Sequence, residues 1–356
     1  MKRQPFVLFV PYYGRGGSGE FVRSVTLAQA LARRWPALRI EFLLPGGPGT
    51  RQDAPFPKTC HDGPDELKGA FDSEHIARLR PDLVVFDCGG RSESLRTCRR
   101  LGITSAYISD RDGTLKKPFR LDWMWLLDEH WHQREHVTAE ALLPSQRLRS
   151  HFSRTRRSFF DTYYAEEAAD WSLLPAPLRE ALQRPFVLLS PGGGGYPVEG
   201  RPVSEVFVEV AERLHAETGL ECLTLLGPLY RGAVQSTTTH SLTILPQALF
   251  RELMGRARLV LTNGGHSLHQ ALAMKAVCVV APLGGSDQPA RIRAYDRAGL
   301  VVEAAPTAQA LGDAALRLLR DDEAYRAVAG KVAALSISNG IPVMCERIAH
   351  CLGLPS

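Results

Sequence analysis

Residues 259–299, LVLTNGGHSLHQALAMKAVCVVAPLGGSDQPARIRAYDRAG, decide the fold. The apolar run Leu259–Leu261 stops at Thr262-Asn263-Gly264-Gly265, and a helical pattern starts at His266-Ser267. A second apolar run, Val277–Ala281, leads through Pro282 into a Gly-Gly-Ser-Asp-Gln loop. The order is strand, glycine turn, helix, strand, polar loop, the repeating unit of a parallel α/β sheet. A turn without side chains lets backbone N–H groups approach a phosphate, and the helix N-terminus adds a favourable dipole. The stretch therefore predicts a phosphate-bearing ligand gripped from the C-terminal half.

The same grammar extends outward in both directions. Strands are predicted at 186–190, 221–226, 242–245, 258–262, 277–281 and 300–303. In the first half they are predicted at Phe6–Pro11, Leu38–Leu44, Leu83–Asp87, Thr104–Ser109 and Trp123–Leu127, with helices at Glu20–Arg34, Ser73–Leu79 and Ser92–Leu101. Near-continuous apolar strands imply parallel sheets covered on both faces. Each half opens on strand, glycine-rich loop and helix. Residues 45–64, rich in Pro and Gly, read as a long loop. Periodicity weakens and charge rises over 144–184, so the domain boundary falls there: domains at 1–178 and 179–332, with an amphipathic segment 333–356 packing back on the first.

A length of 356 residues suits two domains of roughly 150–180 residues. No apolar run approaches the ~18 residues of a membrane span. The opening MKRQPFVLFVPYYG superficially resembles a signal peptide, but its apolar part is short and a glycine turn follows, so it reads as a buried strand. The seven cysteines are odd in number and none pairs at CxxC spacing, so neither zinc nor a disulfide framework is expected. Cys88, Cys222 and Cys278 read as small buried hydrophobes, and a reducing cytoplasm fits. Net charge is +5, with a basic run at 147–157, RLRSHFSRTRR. That run reads as a solvated face or as a patch for an anionic acceptor, a lipid headgroup or a nucleic acid. His130, His132 and His136 lie in DEHWHQREH, where no third metal ligand is indicated and a solvated polar segment is the preferred reading. His269 reads as facing solvent, and Tyr12, Tyr13 and Trp123 as packing.

Three further places carry candidate chemistry. Pro191-Gly192-Gly193-Gly194-Gly195-Tyr196 follows a strand, and four glycines are costly to order, which favours a close backbone approach to a ligand over a plain turn. The N-terminal loop runs Gly14-Arg15-Gly16-Gly17-Ser18-Gly19-Glu20-Phe21-Val22-Arg23. Asp87 ends one strand in VVFDCGG, and Asp110 and Asp112 follow another in AYISDRDG. The carboxyl ends of parallel strands are where doubly wound sheets bind ligands, although each aspartate could equally cap a helix or form a turn.

The stretch TNGGHSLHQALAMKAVCVVAPLGGSDQ, with these loops, resembles the donor signature of GT-B nucleotide-sugar glycosyltransferases. The group it looks most like contains the bacterial peptidoglycan N-acetylglucosaminyltransferase. The resemblance implies two Rossmann-like, doubly wound parallel-sheet domains facing a central cleft. It implies that Gly264, Gly265 and Ser267, with Asn263 and His266 in the same turn, hold a donor diphosphate. Gln270 stands where the family has a ribose-binding glutamate, Asp287 and Gln288 match the pair that contacts sugar hydroxyls, and Leu245, ahead of Pro246-Gln247, lies where the base edge is read. Gly193, Gly194, Gly195 and Tyr196 would form a phosphate- or acceptor-facing loop.

In the N-terminal loop the family carries Gly-x-Gly-His and an arginine three positions later. This chain keeps Gly17, Gly19 and Arg23, with Ser18 between the glycines, and the resemblance implies that these four bind phosphate or the acceptor; Glu20 stands in place of the histidine that serves as general base. Glu20 would then be the base, or the proton would pass to Asp87, Asp110 or Asp112. The resemblance implies a metal-independent, inverting transfer from a nucleotide-diphosphate sugar, with UDP as the family's usual nucleotide. No cofactor or metal is expected beyond that co-substrate. The acceptor (small-molecule, lipid-linked or other) and the oligomeric state are left open, and the setting is a bacterial cytoplasm or the inner-membrane periphery. Alternatives are a UDP-sugar hydrolase like that of pseudaminic acid biosynthesis, to which the N-terminal loop is also similar, a nucleotide-sugar epimerase, and a nucleotide-sugar-binding protein without turnover.

Overall fold

The computed structural model describes residues 3–12, 19–46, 55–61, 68–134, 142–234 and 236–355, without the side chains of Lys68 and Asp112. The described residues divide into two compact units: one takes in those up to Tyr163 together with those from Asn339 onward, the other Tyr164–Ser338.

The first unit is built on strands β1 (Phe6–Pro11), β2 (Arg39–Pro45), β3 (Lys58–His61), β4 (Leu83–Asp87), β5 (Thr104–Ser109), β6 (Glu129–Gln133) and β7 (Arg156–Phe160). All pair in parallel, in the order β3-β2-β1-β4-β5-β6-β7. Strand order reverses between β1 and β4, so the loops leaving these two strands flank the switch point where such sheets bind ligands. On one face Phe9, Leu83 and Ile108 pack with Phe21, Leu27 and Leu31 of helix Gly19–Arg34. Helix Gly340–Leu352 covers the same face through Ile341, Met344 and Ile348. Its entry is fixed where the Gly340 N–H donates to the Thr162 carbonyl at 2.7 Å and the Asn339 side chain caps Ile341 N–H. The opposite face holds Leu8, Val10, Ile76, Leu95, Tyr107 and Trp123.

The structure corrects the sequence reading at four places here. Trp123–Leu127 is no strand: Trp123–Leu126 form one helical turn, and the buried Trp123 indole donates to Ser92 Oγ at 3.0 Å. The next strand is instead β6, EHWHQ, whose five residues are all buried. Its acidic residue is paired inside: Glu129 pairs with Arg347 and accepts from the Trp131 indole at 3.2 Å. His130 and His132 are therefore core residues, not a solvated segment; His136 lies outside the described residues. Finally, β3 lies within the stretch read as loop. The basic run 147–157 continues helix Pro144–Phe152 and reaches only the first two residues of β7, and its cations are engaged locally: Arg149 on the Phe119 carbonyl at 2.9 Å, Arg157 over the Phe119 ring, Arg154 on Asp128. Strands outside the apolar centre draw stability from their paired neighbours rather than from their own propensity.

The second unit contains β8 (Phe186–Ser190), the hairpin β9 (Pro197–Val198) and β10 (Arg201–Pro202), then β11 (Glu221–Leu225), β12 (His240–Leu242), β13 (Leu259–Asn263), β14 (Cys278–Ala281) and β15 (Val302–Glu303). Its six-stranded sheet, ordered β12-β11-β8-β13-β14-β15, is again parallel throughout. The core joins Val187, Leu189, Leu259, Leu261 and Val279 to Phe207 and Leu214 of helix Val203–Thr218 and to Leu311 and Ala315 of helix Ala308–Arg320. Residues 164–178 belong to this unit because Arg251 donates to the carbonyls of Ala165 and Glu167 and the Trp171 indole to Glu252 at 2.7 Å. The strand expected at 242–245 ends at Leu242, since Pro246 opens helix Gln247–Arg256.

Helix Gly340–Leu352 is long-range in sequence but part of the first core, and Ile348 is fully buried. Ile348→Ala should destabilise the first unit by about 2–5 kcal/mol, the usual cost of a cavity at a buried aliphatic. Equilibrium urea denaturation followed by Trp fluorescence reads this as a lowered midpoint; an unchanged midpoint would remove the helix from that core.

Candidate functional site

At the carboxyl end of the first sheet, Arg23 of helix Gly19–Arg34 is buried to 1% exposure. Its Nε donates to Asp87 Oδ2 at 2.9 Å and its Nη2 pairs with Asp87 Oδ1. The same guanidinium reaches Asp110 Oδ2 at 3.2 Å, Gln133 Oε1 at 3.2 Å and Cys88 Sγ at 3.3 Å. Ser24 Oγ donates to Asp87 Oδ2 at 3.2 Å, and the Cys88 thiol to Asp110 Oδ1 at 3.2 Å. One cation thus ties the first helix to the ends of β4, β5 and β6. Burial by itself weakens that cation, but Asp87 and Asp110 outweigh it and hold its proton more firmly than water would. The Tyr163 ring lies 5.5 Å from the guanidinium carbon, and its hydroxyl donates to the Gly19 carbonyl at 2.9 Å.

Glu20 stands one helical turn before Arg23, with its side chain 12% exposed and Oε1 3.5 Å from Arg111 Nη1. Desolvation, then the charges of Asp110 and Asp87, push its pKa up to about 7; Arg23 opposes them with less effect. The carboxyl therefore exchanges a proton near neutrality, the property a general base needs. Ligand atoms of Glu20, Cys88 and Asp110 lie within 4.8 Å of one another, a spacing a metal ion could use. The Arg23 guanidinium already supplies positive charge to Asp110 and Cys88 at hydrogen-bond distance, which disfavours a second cation there.

The structure brings together Glu20, Arg23, Asp87 and Asp110. Gly14–Ser18, Tyr13 and the Asp112 side chain lie outside the described residues, and so do the expectations placed on Gly17 and Ser18. Sequence reasoning missed Gln133, Tyr163 and Arg111, and it took Cys88 for packing alone. Cys88 is buried, but it also bonds within the cluster and adopts a left-handed φ of 55°, unusual for a residue with a side chain. Its place between a strand-end aspartate and Gly89-Gly90 was the available signal. On the sheet's other face Ser109 Oγ bridges His130 Nε2 and His132 Nδ1, each at 2.8 Å.

In the second unit, β13 ends in Asn263, and helix His266–Ala273 starts after Gly265. Asn263 is 7% exposed and acts as a clamp: its Nδ2 donates to the Pro191 carbonyl at 3.0 Å, and its Oδ1 accepts from Gly265 N–H at 2.9 Å. The glycine loop after β8 and the turn after β13 are thereby one assembly. Two of the four consecutive glycines have structural reasons. Gly192 and Gly194 hold φ of +86° and +75°, and a Cβ on Gly194 would strike the Leu226 carbonyl. The Gly193 carbonyl accepts from Leu229 N–H at 2.9 Å, while Gly195 is exposed and Tyr196 half-buried against Gly284.

Other donor candidates are partly committed to the fold. Arg291 donates to the Gly264 carbonyl at 2.8 Å and pairs with Asp287 Oδ2 at 2.7 Å. Gln288 Oε1 accepts from Leu283 N–H at 3.1 Å. Gln270 and Leu245 are buried, and His269, against the solvent-facing reading, is 3% exposed beside Tyr295. Gly265, His266 and Ser267 are half-exposed, and the first backbone N–H groups of their helix have no intrahelical acceptor. The Gly265 N–H among them is already engaged by Asn263 Oδ1.

Asn263→Ala should cost about 1–3 kcal/mol, because the Pro191 carbonyl and the Gly265 N–H lose a buried partner. Calorimetric unfolding checks this; unchanged stability would refute the clamp.

No family model matches the chain, and no curated protein sequence matches it. Solved structures do. CalG4, the calicheamicin glycosyltransferase, is 15% identical with a TM-score of 0.59, covering 99% of each chain. Phytolacca americana UGT2, complexed with UDP-2-fluoro-glucose and pterostilbene, is 13% identical with a TM-score of 0.65, covering 98% of this chain and all of the other. A UDP-N-acetylglucosamine 2-epimerase is 12% identical with a TM-score of 0.54, covering 99% of each. At these identities the likeness is one of fold: the chain has the two-sheet GT-B architecture over its whole length.

Proposed function

We propose that this chain is a glycosyltransferase that moves a sugar from a nucleotide-diphosphate sugar, with UDP as the favoured nucleotide, to an acceptor hydroxyl. The observation that carries the proposal is Glu20 at the switch point of the first sheet, a carboxyl whose burial and two neighbouring carboxylates raise its pKa to about 7 against the opposing charge of Arg23. The fold neighbours support it, since UGT2 was captured with UDP-2-fluoro-glucose and CalG4 is a glycosyltransferase.

In this reading the turn Gly264–Ser267 holds the donor's diphosphate on backbone N–H groups, the Ser267 hydroxyl and the helix dipole, with Gly193, Gly194, Gly195 and Tyr196 alongside. Asn263 shapes that turn, and His266 donates to a phosphate oxygen. Gln270 meets the ribose, Leu245 the base edge, and Asp287 and Gln288 the sugar hydroxyls. Glu20 takes the acceptor's hydroxyl proton as its oxygen bonds to the anomeric carbon. The bond from that carbon to the phosphate oxygen breaks, and its electron pair leaves with the nucleotide diphosphate. A single displacement of this kind inverts the anomeric centre. Arg23 and Asp87 position Glu20, and Asp110 raises its proton affinity. The step uses no metal and no cofactor.

The three carboxylates around one arginine, together with the epimerase among the fold neighbours, favour one second reading: an epimerase working on a nucleotide sugar alone. Incubation with UDP-sugars separates the two. Acceptor-dependent UDP release supports transfer, release with water alone means hydrolysis, a changed sugar configuration without acceptor means epimerisation, and binding without release means a non-catalytic role.

Glu20→Gln should lower turnover by about 10²–10⁴-fold, the range for a lost general base, and leave UDP affinity unchanged. A variant at full rate would remove Glu20 from the chemistry. The wild-type rate should climb with pH through about 7 and level off above it, because only the ionised carboxyl accepts a proton. Stability should run the other way. The folded chain holds this proton above the unfolded value of 4.5, so the contribution is complete at low pH and fades as pH rises through about 7. Denaturation midpoints across that window should lose this component in Glu20→Gln.

A further inference from the structure

The loops leaving β4 and β5 carry cations that the buried cluster does not use. Lys117 opens the short turn Lys117–Phe119, and its Nζ donates to the Cys88 carbonyl at 3.3 Å. That nitrogen lies 5.9 Å from the Tyr107 ring centroid, so the ammonium sits against the end of the sheet rather than in open solvent. Arg91, directly after Gly89-Gly90, is exposed, and so are Arg111, directly after Asp110, and Arg120. Arg111 is paired with Glu20 and Arg120 with Asp122, but neither Lys117 nor Arg91 has a carboxylate within 4.0 Å among the described residues.

Half-burial of an ammonium beside like charges is unfavourable, and here both effects weaken the lysine's hold on its proton: desolvation first, then Arg91, with smaller contributions from Arg111 and Arg120. Folding alone gains nothing from such an arrangement. An arriving anion reverses it, because an ammonium has three donors and the Cys88 carbonyl takes one. The location adds meaning. Cys88, whose carbonyl Lys117 touches, carries the thiol whose sulfur lies within 4.8 Å of the Glu20 carboxylate.

We propose that this corner is the acceptor subsite, and that Lys117 with Arg91 receives an anionic group, a carboxylate or a phosphate monoester, on the molecule whose hydroxyl faces Glu20. The acceptor is then a compact hydroxy acid or hydroxylated phosphate ester, oriented by its charge before its hydroxyl is deprotonated. This rests on the transferase reading for the role of the hydroxyl, but the anion site itself does not depend on turnover.

The test uses the full chain at pH 7.5 in low salt and three probes of similar size: 4-hydroxybenzoate, 4-hydroxyphenyl phosphate and the neutral 4-hydroxybenzyl alcohol, titrated by NMR line broadening. At least one anion should bind tenfold or more tightly than the alcohol, and which one does identifies the group. Lys117→Met and Arg91→Gln should each erase that preference, Lys117→Arg should keep it, and raising the salt should weaken it. Equal binding of all three probes overturns the proposal, as does an anion preference that survives both substitutions. Thermal melting confirms folding of each variant, and Arg91→Gln, on the surface, carries the test alone if Lys117→Met does not fold. Absence of sugar transfer with an intact anion preference would discard the transferase reading and keep the site; transfer to neutral acceptors alone would do the reverse.

Discussion

The buried guanidinium of Arg23 is the constraint on which the first unit's chemistry depends. A charge at 1% exposure is tolerable only with full pairing, and Arg23 has it from Asp87, Asp110, Gln133 and the Cys88 sulfur. Removing one member of such a set strands a buried charge at a cost of about 3–5 kcal/mol. The pairing fixes the rotation of helix Gly19–Arg34 about its axis, and residues three apart on a helix share a face. Glu20 is therefore held near the aspartates, and its raised proton affinity follows from the same cluster. Position and pKa have one cause.

The second unit is organised differently. Its polar side chains are spent on shaping loops: Asn263 joins two turns, Arg291 ties the Gly264 carbonyl to Asp287, and Gln288 holds Leu283. What these braces hold in place is the half-exposed backbone from Gly265 to Ser267. In the proposed transfer this preformed turn loses little order when a diphosphate binds.

The two units share one plan, a parallel sheet with a reversal of strand order next to its first strand, and differ in what sits at that point. In the first it is a dense set of titratable groups around Arg23. In the second it is glycine and a helix start. The proposed division between proton chemistry and phosphate binding rests on this difference in residue types.

The central strands were legible because a strand buried on both faces must be apolar throughout, as in Phe6–Pro11, Leu83–Asp87 and Leu259–Asn263. Turn glycines and strand-end aspartates marked the loops that follow these strands for the same local reasons. Nothing local marked EHWHQ as a buried strand, because its burial depends on Ser109 and Arg347, which lie far away in sequence. Likewise the chain alone suggested that Glu20, Asp87 and Asp110 were separate alternatives for one role. Only the tertiary structure set them around a single guanidinium, where electrostatics at short range gives each a different part. Sequence determined which elements form, since periodicity and turn chemistry act over a few residues; packing decided which charges meet, since that requires the folded sheet.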